Sequence, residues 1–143
     1  MTEQQRKVSR WLNRGFDSWK EVKALEMSIE ALDAIINKCV GTYDPPEIQL
    51  NPSGNQQEER LVRRGDLAEI LERKARKLLY EDGETAIVIN KLDDTVTRTI
   101  LIHRFINRKK WSEVSKLVHM SDRQCYRRQL DALDDLYKYI PWI

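Results

Sequence analysis

From Glu3 to Cys39 the chain carries no proline, and apolar side chains return every three or four residues. Val8, Trp11, Val22, Leu25, Ile29, Leu32, Ile36 and Cys39 fall at a and d of one heptad frame, with Gly15 and Ser18 at its two weak places. The spacing predicts one long helix, straight or kinked near Gly15, with a narrow apolar seam that Phe16, Trp19 and Ile35 widen. Such a helix is unstable alone and needs a partner helix. Val40 to Asn55 then holds three prolines and two glycines, a composition that ends a helix and makes a loop. Beyond it, Leu61, Ala68, Leu71, Ala75 and Leu78 give Gln56 to Glu81 a helical period.

Asp82-Gly83 either ends that second helix or is a tolerated weak spot within it. The run Glu84 to Leu92 contains Ile87-Val88-Ile89, which could form a strand. A lone strand has nothing to pair with, and the heptad frame continues through Thr85, Ile89 and Leu92, so the segment is read as helix. Asp93-Asp94 offers an N-cap for a helix over Thr95 to Asn107, and Arg108-Lys109-Lys110 makes a basic connector. The pattern therefore predicts an all-α chain in two parts. Residues 1–92 form a coiled-coil-like helical hairpin with its loop at 40–55, a place for oligomerisation or partner binding. Residues 93–143 form a three-helix domain.

The last two helices of that domain carry the chemistry. A short helix over Trp111 to Val118 carries Val114, Leu117 and Val118 on one side, and His119-Met120 makes a tight turn. The next helix opens at Ser121, with Gln124 three residues on, the pattern of a capping box. At 100° per residue Cys125, Gln129, Ala132, Leu133 and Leu136 share one side. Arg127 lies opposite, Arg123 is one turn before it, Gln124 and Arg128 flank one side and Tyr126 the other. Arg pairs bidentately with guanine and Gln with adenine, so Arg123, Gln124, Tyr126, Arg127 and Arg128 are candidate base readers. Ser121, Lys109, Lys110 and Lys116 are candidate phosphate contacts. Asp131, Asp134 and Asp135 follow, which predicts that the helix meets the groove end-on and uses only Ser121 to Arg128. A second stripe, Tyr126, Leu130, Leu133 and Tyr137, is expected to pack against the domain's first helix or the hairpin, with a dimer contact as the alternative, and the apolar tail Tyr139 to Ile143 is expected to dock rather than hang free.

Charge sharpens this picture. Val96 to Ile143 holds 10 Lys/Arg and 5 Asp/Glu, net +5, whereas the rest holds 15 and 18, net −3. Basic charge thus gathers around the helix pair, where a polyanion binds. Cys39 and Cys125 lie on apolar helix sides and read as buried free thiols. No signal peptide or long apolar run is present, which predicts a cytoplasmic protein that does not meet a membrane. The two histidines, His103 and His119, lack ligand-spaced partners, and there is no phosphate-binding glycine loop, so no catalytic residue, metal or cofactor is expected.

The span from Arg98 to Leu136 resembles region 4 of sigma-70-type RNA polymerase factors. Trp111-Ser112-Glu113-Val114 stands where that pattern opens its first helix, and Ser121 and Cys125 stand where it starts and anchors the recognition helix. It departs from the pattern in having His119 at the usual glycine and Ser115 at the usual small residue; His tolerates positive φ better than most residues. Nothing matches the promoter-melting region 2, so a complete sigma factor is not implied. The order of helices, proline-rich loop, helix and C-terminal domain resembles small phage regulators of the RinA/ArpU type. That resemblance implies transcriptional regulation of phage or prophage genes by binding double-stranded DNA, with RNA polymerase as a further partner. Apart from the resemblance, the N-terminal helices, which need a partner, make a homodimer through them a further expectation. Two alternatives stay open: a DNA-packaging adaptor similar to a terminase small subunit, and a structural interaction protein that does not bind DNA.

Overall fold

The computed structural model describes residues 1–41 and 53–142, with side chains for 1–38 and 56–142; the proline-rich stretch predicted as a loop falls largely outside them. Every regular element among the described residues is helical: α1 (Glu3–Leu12), α2 (Phe16–Gly41), α3 (Ser53–Ile89), α4 (Thr95–Leu101), α5 (Trp111–Val118) and α6 (Asp122–Leu136). A π-helical turn, Ile102–Ile106, prolongs α4, and a 3-10 turn, Tyr137–Tyr139, follows α6. No helix among the described residues is long and apolar enough to cross a membrane.

The single N-terminal helix expected from the heptad frame is two helices, broken at residues 13–15. Asn13 and Gly15 are weak helix formers, and Arg14 between them has better uses for its side chain. Its guanidinium lies 3.7 Å from the centre of the Trp11 ring. It also donates to Thr85 Oγ1 at 2.9 Å and to the Glu81 carbonyl at 3.0 Å, and pairs with Glu84 at 3.2 Å. The break shifts the register, so α1 buries Gln5, Val8 and Leu12 while Trp11 is half-buried. In α2 Ser18, Val22, Ile29, Leu32 and Ile36 of the predicted seam are buried and Leu25 is half-buried, while the side chain of Cys39 lies outside the described residues. Phe16 and Ile35, expected to widen it, are exposed instead.

α3 runs unbroken through Asp82-Gly83 to Ile89, so Glu84 to Ile89 continues the second long helix as its heptad frame requires. Leu61, expected on its inner face, is 52% exposed. The described residues divide into two compact units, one of 1–16 with 78–142 and one of the described residues between 17 and 77. In the second unit α2 and α3 run antiparallel, tied by Asp33–Arg64 and by Glu21–Lys74 at 2.7 Å.

The first unit divides as it does because α1 and the last turns of α3 bury their apolar sides on α4 and α6. Val8, Leu12, Val88, Ile89, Leu92, Leu101, Phe105, Leu133 and Leu136 form one cluster, with Leu130 and Tyr137 packed against it. Gln5 fastens α1: its amide nitrogen donates to the Leu130 carbonyl at 3.3 Å and to Asp134 Oδ2 at 3.1 Å. The tail docks as expected, with Ile140 buried and Trp142 Nε1 donating to the Tyr137 carbonyl.

A candidate nucleic-acid interface

α4, α5 and α6 surround a second, smaller cluster of Ile100, Val114 and Cys125, rimmed by Trp111, Val118 and Met120. Burial, and next to it the Asp122 carboxylate, push the Cys125 thiol up, so it stays a neutral core group. Asp94 caps α4, accepting from Val96 N at 3.2 Å and from the Thr97 hydroxyl at 2.7 Å. α5 spans the residues its pattern predicts, although Leu117 is exposed rather than on the buried face. It stops at His119, which takes φ 56° and ψ 44°, the left-handed conformation glycine usually supplies. Met120 N then donates back to the Ser115 carbonyl at 3.0 Å, closing the turn.

α6 starts with the predicted capping box. Gln124 N donates to Ser121 Oγ and Ser121 N donates to Gln124 Oε1, both at 3.1 Å. Its buried side is the predicted one: Cys125, Gln129, Ala132, Leu133 and Leu136. Arg123, Gln124, Tyr126 and Arg127 stand exposed on the other faces. Asp134 is engaged by Gln5, so the second half of α6 serves packing.

The exposed candidates are not equivalent. Gln124 spends its carbonyl oxygen on the cap, and reading adenine bidentately needs that oxygen together with the amide nitrogen. Arg128 donates to Asp94 at 2.7 Å across the domain. These two therefore leave the set of free base readers. Arg123 and Arg127 point from the helix without an ion pair or hydrogen bond to the described residues. Tyr126 meets Trp111 edge to face, with centroids 6.0 Å apart and planes at 79°. Lys110 and Lys116 are exposed, and Lys109 lies 3.9 Å from Glu113. Lys116, His119, Ser121 and Gln124 line a shallow hollow of about 430 Å³ at the turn. A larger hollow, about 660 Å³, lies on the flank of Arg127 and Arg128, but Asp93, Asp94, Asp131 and Asp135 line it and oppose an anion there.

Two arginines have roles the sequence pattern did not reveal. Arg104 lies 4.9 Å from the centre of the Trp111 ring and donates to the Lys109 carbonyl at 3.0 Å, so it backs the Trp111–Tyr126 contact. Burial pushes its guanidinium below the ordinary arginine value. The seven-residue step from Arg104 to Trp111 was the available signal. Arg108, read as part of a basic connector, has φ 56° and a side chain 6% exposed that pairs with Asp82. Comparison of the chain with protein-family models, with curated proteins and with solved structures gives no match.

Proposed function

We propose that the chain is a sequence-specific DNA-binding regulator of phage or prophage transcription. In this reading α4, α5 and α6 are a three-helix, sigma-region-4-like domain and α5, the His119 turn and α6 its helix-turn-helix. The first turns of α6 enter the major groove of double-stranded DNA. The α2–α3 hairpin serves assembly or partner binding, and RNA polymerase is the further partner the resemblance implies.

One observation carries the reading. Arg123 and Arg127 are held on the outer face of a capped, well-packed helix with no carboxylate of their own, where structural arginines would be paired. Guanine O6/N7 is a fitting acceptor for such a fork. Ser121 Oγ–H, Lys110 and Lys116 lie around it as phosphate donors, and the α6 N-terminus adds its dipole.

The test is selection of bound fragments from random duplex DNA, repeated across salt concentrations. A recovered consensus with salt-dependent affinity is expected, and Arg123→Ala with Arg127→Ala abolishes the preference while helix content stays unchanged. Undiminished binding by that double variant would refute the groove assignment. No enrichment at any salt would refute DNA reading altogether.

A further inference from the structure

The apolar stripe of α6 divides along its length. Leu133 is buried in the main core, and Leu130 and Tyr137 pack against that core. Tyr126 is 43% exposed, among the exposed first turns that also carry Arg123, Gln124 and Arg127. An exposed aromatic ring is ordinarily free to turn, but this one is braced. Trp111, the first residue of α5, meets it edge to face with centroids 6.0 Å apart. Arg104 of the π-turn lies 4.9 Å from the centre of the Trp111 ring and is tied in turn to the Lys109 carbonyl. Side chains of two other elements thus steady a ring that α6 leaves open to solvent, as a binding side chain is pre-organised.

The open part of that ring is an apolar surface set among cations and an amide. In a major groove the group that suits it is the C5-methyl of thymine. Taking α6 as the groove helix, the reading proposed above and the one on which this depends, we infer that Tyr126 reads a thymine through that methyl. The thymine lies close to the guanine that Arg123 takes. Arg123 and Tyr126 are three positions apart on the helix, which sets their Cβ atoms about 5–6 Å from each other. Successive base pairs are about 3.4 Å apart, so the two contacts fall within two base pairs. The ring makes the contact, and the hydroxyl is not needed for it.

Deoxyuridine pairs as thymidine does and lacks only the methyl. The test replaces each thymine with it, one at a time, in the duplex recovered by selection. Wild type is expected to lose affinity about fourfold at one thymine near the guanine, the worth of one buried methyl. Tyr126→Phe behaves as wild type. Tyr126→Ala keeps its helix content, binds more weakly and no longer distinguishes thymine from uracil there. A wild type that selects guanine but is indifferent to uracil at every thymine overturns the inference and leaves the arginine reading standing. So does a recovered sequence with no thymine near the guanine, or discrimination that persists in Tyr126→Ala. A loss in Tyr126→Phe as large as that in Tyr126→Ala also overturns it, by assigning the contact to the hydroxyl. Failure to recover any duplex overturns this inference and the DNA reading together.

Discussion

Arg108 and Asp82 meet through two hydrogen bonds, Nη2 to Oδ1 at 2.8 Å and Nη1 to Oδ2 at 3.1 Å, joining the segment just after the π-turn to the C-terminal part of α3. Nη1 also donates to the Ile106 carbonyl. The guanidinium is almost wholly buried, and Asp82 is its paired carboxylate. Asp82→Ala should cost about 3 kcal/mol, the low end of the range for stranding a buried partner, because Asp82 itself is partly exposed. Urea unfolding would measure it.

Gly15 sits beneath the same guanidinium, and a Cβ there would come 2.9 Å from Arg108 Nη2 and 3.4 Å from Leu78. Since Arg108 is pinned by Asp82, it cannot swing aside. Gly15→Ala should therefore destabilise by about 1–2 kcal/mol, although alanine is ordinarily the better helix former. An unchanged unfolding midpoint would show that Arg108 is free to move.

Among the described residues, two other than glycine hold positive φ, Arg108 and His119, both at 56°. The same substitution should act on them in opposite senses. His119→Gly relieves backbone strain and should stabilise by about 1 kcal/mol. Arg108→Gly relieves as much but strands Asp82, and should be destabilising on balance by about 2 kcal/mol. Thermal unfolding of the two variants side by side gives the comparison.

The Thr97 hydroxyl, with the Val96 amide and Arg128 adding to it, holds the Asp94 carboxyl below its ordinary value. A folded-state pKa lowered in this way contributes stability that is complete above the unfolded value, near pH 4. It is lost as pH falls from there through the folded value. Asp94→Asn should flatten the acid limb of the stability curve in that window and leave the neutral limb with the same slope. Acid titration followed by circular dichroism would check this.

The arginines of α6 should separate by assay. Arg123→Ala and Arg127→Ala should each cost about 1–3 kcal/mol in binding selected DNA and little in stability. Arg128→Ala should lose mainly its tie to Asp94, a surface pair worth at most about 1 kcal/mol. Lys116→Ala should weaken all sequences alike and lower the salt slope by about one. Equal losses for all four would contradict the distinctions drawn among them.

Much of the helical layout was legible because it rests on local rules. The capping box at Ser121, the α5 limits and the buried side of α6 follow from spacing and cap chemistry, whereas spacing left open whether α3 runs through Gly83. The break at 13–15 was hidden because the heptad frame passes through Gly15 undisturbed, while its cause, Arg14 reaching Glu81 and Thr85, lies about 70 residues away. Arg108 was misread for the same reason: beside Lys109 and Lys110 it looks like solvated charge, and only Asp82 gives it a different meaning. In the candidate interface, residue types along α6 were readable, but the diversion of Gln124 into the cap and of Arg128 to Asp94 was not.

The bond from Gln5 to the Leu130 carbonyl spans 125 positions. On a ribosome adding about 5–20 residues per second, α1 emerges roughly 6–25 seconds before the surface it covers exists. Through that interval Val8 and Leu12 have no final lodging. A nascent chain arrested before α6 should therefore expose them to chaperones or protease, and completion of the C-terminal residues is the event that closes the first unit.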